Sequence, residues 1–249
     1  MTLLVGLLLV FSALPVGAVS TSTVVSPSDP PLVAAVKRGD LSGLQARLAR
    51  GAAVGSKDQF GWTAVMWAVG HGNGAIVQAL LAAGADAAPR DTPAFNAIIE
   101  AAKAGRSDVV AVLAGHGFDC NEKDALGVPA ISYAAAQISA GTVQALLACR
   151  ANADARDANG YTPLMRAVQA DQVSNVASLL AHGARVNERD KHGYTALMWA
   201  AYGGWDDAAK ALLAANADAS IKGKDGRTAY SIAVKRGRTS VAELLPAAR

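Results

Sequence analysis

A spacing of 33 residues repeats along most of this chain of 249 residues. Aspartate occupies one position of the repeat five times in succession, and glycine stands where a sixth would fall: Asp58, Asp91, Asp124, Asp157, Asp190 and Gly223. A period of this length indicates supersecondary units that stack, each burying a face against its neighbours. We therefore expect one elongated repeat domain.

The composition excludes some classes of partner. Charged residues make up 17% of the chain, hydrophobic residues 52%, and the net charge is only +3. That charge is too small to indicate nucleic-acid binding, and we expect no nucleic-acid partner.

The N-terminal segment is separate from the repeat. Residues 1–14 are almost wholly apolar and uncharged, and small residues follow up to Ala18. The apolar core is shorter than the about 20 residues of a membrane span, and this arrangement predicts a cleaved signal peptide over 1–18, although no basic residue precedes it. A retained anchor and a misassigned start are the alternatives. Residues 19–30, rich in Ser, Thr, Val and Pro, predict a flexible tether.

One repeat shows the local chemistry. Asp157 to Gly160 has turn residues, because Asp and Asn bond their own backbone and Gly accepts positive φ. Thr162 can cap the helix that Pro163 begins. A second apolar helix follows and ends at Gly183. The unit is therefore a turn followed by two short helices, too short to be stable alone.

These motifs resemble those of the ankyrin repeat family. The closest matches are DANGYTPLMRAV, which starts at Asp157, and DKHGYTALMWAAYGG, which starts at Asp190. The resemblance covers residues 31–246 and implies an all-α solenoid of stacked helix–turn–helix units with β-turn or hairpin fingers. In this arrangement the N-terminal cap is 25–57, the repeats are 58–90, 91–123, 124–156, 157–189 and 190–222, and the C-terminal cap is 223–249.

Two positions depart from the pattern. Thr92-Pro93 falls in the turn of its repeat, so we predict that the helix begins after Asn96 instead. Ile138 occupies a place that glycine holds in four other units and ends the first helix. Because isoleucine is a steric outlier in the left-handed region, we predict that this connection differs from its neighbours, or that the unit is locally weaker.

Candidate sites for chemistry are few. His116, Cys149 and His182 hold equivalent positions in successive repeats, but stacking at about 8–10 Å makes them a ladder rather than a metal cluster. Cys120 and Cys149 hold non-equivalent positions, so we favour two free thiols over a disulfide. The acidic residues belong to turns. We expect no catalytic residues, no metal and no cofactor.

The resemblance implies a concave binding face made of turn tips and first helices. At the repeat position four residues after the aspartate, four of six residues are aromatic, which fits either an exposed recognition surface or a packed row. The candidate partner-binding residues are Phe60, Trp62, Phe95, Leu126, Tyr161, His192, Tyr194, Tyr202 and Arg227.

The sequence thus predicts a monomeric, non-enzymatic module that binds a protein partner in the periplasm or after secretion. Its alanine-rich composition and apolar leader suggest a bacterial source. The alternative is a scaffold that keeps its N-terminal segment and is tethered to a membrane.

Overall fold

The computed structural model describes residues 25–87 and 95–246. The predicted signal peptide, the first half of the tether and Thr92-Pro93 lie outside these residues. The described chain forms fourteen helices: α1 Pro31–Lys37, α2 Leu41–Ala49, α3 Ala64–His71, α4 Gly74–Ala82, α5 Ala97–Lys103, α6 Ser107–Gly115, α7 Ala130–Ala135, α8 Ala140–Ala148, α9 Pro163–Gln169, α10 Val173–Ala181, α11 Ala196–Gly203, α12 Asp206–Ala214, α13 Ala229–Arg236 and α14 Thr239–Leu244.

The helices form consecutive pairs within two compact units, Met1–Ala85 and Asp86–Arg249. In the first unit α1 packs on α3, and α2 on α4. In the second, the first helices of the pairs form one row (α5, α7, α9, α11, α13), and the second helices form another (α6, α8, α10, α12, α14). The all-α prediction is confirmed: the described residues hold no β-sheet, only isolated bridges joining Lys57 to Thr63 and Lys123 to Pro129.

Small and branched side chains fill the space between the rows. Ala200 and Ala201 are fully buried in α11, as are Val176 and Leu179 in α10. Helices of six to nine residues are marginal alone, so this burial, at roughly 25 cal/mol per Å² of apolar surface, stabilises them.

Side-chain caps fix where the first helices begin. The hydroxyl groups of Thr63, Thr162, Thr195 and Thr228 each accept from the main-chain N–H three residues later. Asn96 does the same for Ile99 across 3.1 Å, which confirms the predicted start of α5. These bonds satisfy N–H groups that have no partner inside a helix.

The turns that precede α3, α7, α9 and α11 are built around the repeated aspartate. The Oδ1 atom of Asp190 accepts from the main-chain N–H of His192 at 2.8 Å and of Tyr194 at 2.9 Å. Gly193 completes the turn with a φ of 77°, and Asp58, Asp124 and Asp157 make the same pair of bonds.

Gly223 replaces the sixth aspartate for a steric reason. A Cβ atom at Gly223 would lie 2.7 Å from Cε1 of Tyr194. Asp225 takes over the acceptor role instead: one oxygen accepts from the Arg227 N–H at 3.1 Å, and the other accepts from the Tyr194 hydroxyl at 2.6 Å. The loss of the aspartate thus accompanies the packing of a tyrosine ring.

The connection at Ile138 differs from its equivalents, as predicted. The corresponding residues of the other six units have φ between 54° and 82°, and one of them is Asp171 rather than glycine. Ile138 does not have a positive φ, and it is 87% exposed. Helix α7 ends after six residues, earlier than every other first helix. Whether this unit is also weaker stays a prediction.

The expectation of two free thiols is wrong. Cys120 and Cys149 form a disulfide with a Cα–Cα distance of 6.1 Å. Cys120 belongs to the turn that follows α6, and Cys149 caps the end of α8 in the next repeat. Stacking brings these different positions together, and Asn121 reinforces the junction by accepting from the Asn152 N–H at 2.8 Å.

Within the described residues, no helix has the length and apolar character needed to cross a membrane.

Candidate partner-binding surface

The aromatic column that follows the turn glycine is packed more than it is exposed. Tyr161 is only 1% exposed and Tyr194 only 8%. The two rings lie 5.6 and 5.7 Å from the Trp199 ring, between centroids. For these two tyrosines the structure therefore favours a packed row over an exposed recognition surface, because their rings are buried against neighbouring side chains, and a contact with a partner stays a prediction.

Other candidates at the turn tips remain accessible. Phe60 in the first unit and Leu126 in the second are 67% and 66% exposed, and His192 is exposed as well. Trp62 and Phe95 are half-buried, with the Trp62 ring 5.2 Å from that of Trp67.

A second column was missed by the sequence reasoning. In each repeat whose turn aspartate is described, the residue nine positions later donates a hydrogen bond to the Oδ2 atom of that aspartate. The indole N–H groups of Trp67 and Trp199 donate at 2.8 and 3.0 Å, and the Tyr133 hydroxyl donates at 2.5 Å. Arg166 donates to Asp157 in the same way. Trp67 and Trp199 are both half-buried. The signal available in the sequence was the fixed interval of nine residues between the partners.

Cations stack on aromatic rings along the first helices of the second unit. Lys103 lies 4.9 Å from the Tyr133 centroid, Arg166 lies 4.3 Å from that of Tyr161, and Arg236 lies 3.6 Å from that of Tyr202. The Trp199 and Tyr202 rings meet edge to face at 5.7 Å. We call the accessible residues of this set the first-helix face: Lys103, Tyr133, Arg166, Trp199, Tyr202 and Arg236.

The first unit carries a corresponding cluster. Lys37 lies 4.5 Å from the Trp67 centroid, and its ammonium group is 2.9 Å from Asp29 and 3.6 Å from Asp58. The lysine side chain is only 4% exposed. Burying an ammonium group is costly unless it is paired, and two carboxylates provide that pairing. The His71 ring packs on Trp67 at 5.4 Å.

Burial and hydrogen bonds shift the pKa of the turn acid Asp58 and of the phenols of Tyr133 and Tyr194. Burial alone would raise the pKa of Asp58, but the N–H donors of Trp62, Trp67 and Phe60, with the charge of Lys37, outweigh it and lower the pKa. Burial, then the bond to Asp124, raises the pKa of Tyr133. Burial and the bond to Asp225 raise the pKa of Tyr194 to about 12. Each proton thus stays on the phenol.

The remaining candidates have structural partners. Arg227 is half-buried and pairs with Asp225 at 3.1 Å. The Nδ1 atoms of His116 and His182 each bond to the carbonyl four residues earlier, at 2.9 and 2.8 Å. In the described part of the chain, no group of three or more His, Cys, Asp or Glu side chains could hold a metal ion.

The repeat pattern also matches a known family. The family model for ankyrin repeats (3 copies) matches residues 32–124, 100–190, 131–225 and 176–248. No curated protein matches the chain. Because the matched segments together span most of the sequence, and the helix pairs have the expected turns and caps, the chain belongs to the ankyrin repeat family.

Proposed function

We propose that this protein is a non-enzymatic module that binds a protein partner through its first-helix face, in the periplasm or after secretion. Ankyrin repeats are generally protein–protein interaction modules. The partner's identity does not follow from the fold, because one architecture serves many partners. The side chains on the surface indicate where a partner binds.

The observation that carries the proposal is the mixture of half-exposed aromatic and cationic side chains on one face. Tyr, Trp and Arg are the residue types enriched at binding hot spots. Here Tyr202 contacts both Trp199 and Arg236, and the Trp199 indole is held by Asp190. Side chains already fixed in place lose little conformational entropy when a partner docks.

A catalytic role has less support. The carboxylates of this face are engaged as acceptors in turns: Asp124, Asp157 and Asp190 each receive two main-chain N–H bonds and one side-chain bond. These bonds hold the turns and the first helices together, which accounts for the three carboxylates without catalysis. We therefore propose binding rather than catalysis.

Export is supported by two independent features. The sequence begins with an apolar segment of signal-peptide type, and the disulfide between Cys120 and Cys149 is the kind of bond that persists in oxidising compartments. The alternative is a scaffold tethered by an uncleaved N-terminus. Edman sequencing of the mature protein separates them, because a start near Val19 indicates cleavage. We expect the exported protein to be a monomer.

Site-specific photo-crosslinking tests the binding face. A benzoylphenylalanine residue replaces Gln169 on α9, or Ser174 on α10 of the same repeat, in the cells that produce the protein. Gln169 lies three residues after Arg166, whereas Ser174 is exposed on the second helix. We expect a specific crosslinked protein from position 169 and none from position 174. Equal crosslinking at both, or crosslinking at 174 alone, would reject the proposed face.

A further inference from the structure

Positive charge is concentrated at the C-terminal end of the second unit. Residues 222–238 contain six cationic side chains and one carboxylate, Asp225. That carboxylate pairs with Arg227. The other five make no ion pair within the described residues: Lys222, Lys224, Lys235, Arg236 and Arg238. Within the part of the chain that the structure describes, these five cations are therefore available to a partner.

One of these cations, Arg236, belongs to the first-helix face, and Lys235 and Arg238 lie beside it in the sequence. Lys235 and Arg236 form the last turn of α13, and both are exposed. Arg238 follows after Gly237, and its side chain lies over the end of α11: a Cβ atom at Gly204 would be 2.7 Å from Arg238 Cδ. The three basic groups thus lie near the ends of two neighbouring helices.

The Arg236 guanidinium is held in place. It stacks 3.6 Å from the Tyr202 centroid, and Tyr202 in turn meets the Trp199 ring at 5.7 Å. Stacking uses the flat face of the guanidinium and leaves its in-plane N–H donors directed outward. A planar fork of this kind matches the geometry of a carboxylate.

We infer that this basic end of the first-helix face binds an acidic segment of the protein partner, with carboxylates of Asp or Glu side chains on Lys235, Arg236 and Arg238. The inference rests on the proposed function. Charge complementarity steers such partners and sets specificity. A single-stranded nucleic acid needs open ring faces for its bases, whereas one face of Tyr202 is covered by Arg236.

Fluorescence anisotropy with defined probes tests this inference on the full chain. The probes are a labelled peptide of alternating Glu and Ser, the same peptide with Gln for Glu, an oligouridine RNA, and vesicles containing phosphatidylglycerol. We expect binding of the Glu peptide only, weakening as NaCl rises from about 50 to about 300 mM. Tighter binding of RNA or vesicles than of the Glu peptide would overturn the choice of partner class.

Charge-removing variants locate the site. We expect Lys235→Gln/Arg236→Gln to bind the Glu peptide about tenfold more weakly. Lys210→Gln is the matched control, because Lys210 is exposed on α12 of the same unit. Tyr202→Ala, which changes no charge, should weaken binding as well by freeing the Arg236 side chain. Equal loss in Lys210→Gln and in the double variant would show that only overall charge matters and would contradict the site.

The crosslink at position 169 separates the two proposals. If wild type gives no specific crosslink there, the proposed face fails, whatever the peptide does. If the crosslink persists undiminished in Lys235→Gln/Arg236→Gln, and wild type does not bind the Glu peptide, the face binds a partner but the acidic segment is rejected. Loss of both signals in the double variant supports the inference.

Discussion

The side-chain amide of Asn175 donates to the main-chain carbonyl of Ala135 across 2.9 Å. The same nitrogen contacts the carbonyls of Ala134 at 3.4 Å and Gln137 at 2.6 Å. In the other units, N–H groups beyond a left-handed residue satisfy such carbonyls. Ile138 cannot adopt that conformation cheaply, so a residue of the next repeat caps α7.

We predict that Asn175→Ala lowers the free energy of unfolding by about 2 kcal/mol, because it removes the amide donor from the carbonyl of Ala135. Asn175 is fully buried, so water cannot replace the amide without rearrangement. Urea denaturation followed by circular dichroism measures the change. Ser174→Ala is the control, since Ser174 is exposed on the same helix. A loss no larger than in the control would show that Asn175 contributes little as a cap.

Two glycine substitutions should change stability in opposite directions. Asp171 has a φ of 54°, a conformation that costs energy for a residue with a Cβ atom, so Asp171→Gly should raise the unfolding free energy by about 0.5 kcal/mol. Ile138 has no such strain to relieve. Ile138→Gly should therefore lower stability by roughly 0.5–1 kcal/mol, because glycine gains more freedom on unfolding. Thermal denaturation of both variants measures these changes. Higher stability of Ile138→Gly than of wild type would contradict this account.

Local features of the fold could be predicted from the sequence. The turn at Asp190, the cap by Asn96 and the misfit of Ile138 each depend on residues within a few positions of one another. Such chemistry is set by side-chain type and backbone preference, so a correct alignment of the repeats was sufficient. The same alignment predicted that Ile138 must differ, but not that Asn175 would compensate.

Contacts between repeats were harder to predict. The Cys120–Cys149 disulfide joins residues that hold different places in their repeats, and only the stacking distance and direction decide whether they meet. Burial of Tyr161 depends likewise on a ring from the next repeat, Trp199. The aligned aromatic column was therefore real, while its exposure depended on inter-repeat geometry that no single repeat specifies.

Removing the disulfide should destabilise the second unit. Its cysteines are separated by 29 residues, and closing a loop of that size restricts the unfolded chain. We expect Cys120→Ala/Cys149→Ala to lose about 2–4 kcal/mol of unfolding free energy. Dithiothreitol should lower the unfolding free energy of wild type by a similar amount and leave that of the double variant unchanged. Unaltered denaturation of wild type in the reductant would show that the bond contributes no stability.

Acid should weaken the first unit through Asp58. Its pKa is lowered in the folded state from the ordinary 3.8, so folding favours the carboxylate. This contribution is present above pH 3.8 and is lost as pH falls through the lower folded value. Asp58→Asn keeps the turn acceptor but removes the charge beside Lys37.

We therefore expect Asp58→Asn to be less stable than wild type at neutral pH and less sensitive to acid. Urea midpoints measured by tryptophan fluorescence between pH 2 and 6 give the comparison. Asp207→Asn, at an exposed position on α12, should follow the wild-type profile. Parallel acid profiles for Asp58→Asn and wild type would contradict the assigned role of this carboxylate.

Hydroxyl-radical footprinting of the complex with the crosslinked partner tests the binding face most directly. Trp199 and Tyr202 are half-exposed and should be oxidised in the free protein and protected in the complex. Phe118, half-exposed beyond the end of α6, provides the reference on the second-helix side. The account predicts at least about fivefold slower oxidation at Trp199 and Tyr202, with Phe118 unchanged. Protection at Phe118 while Trp199 and Tyr202 react as in the free protein would contradict it.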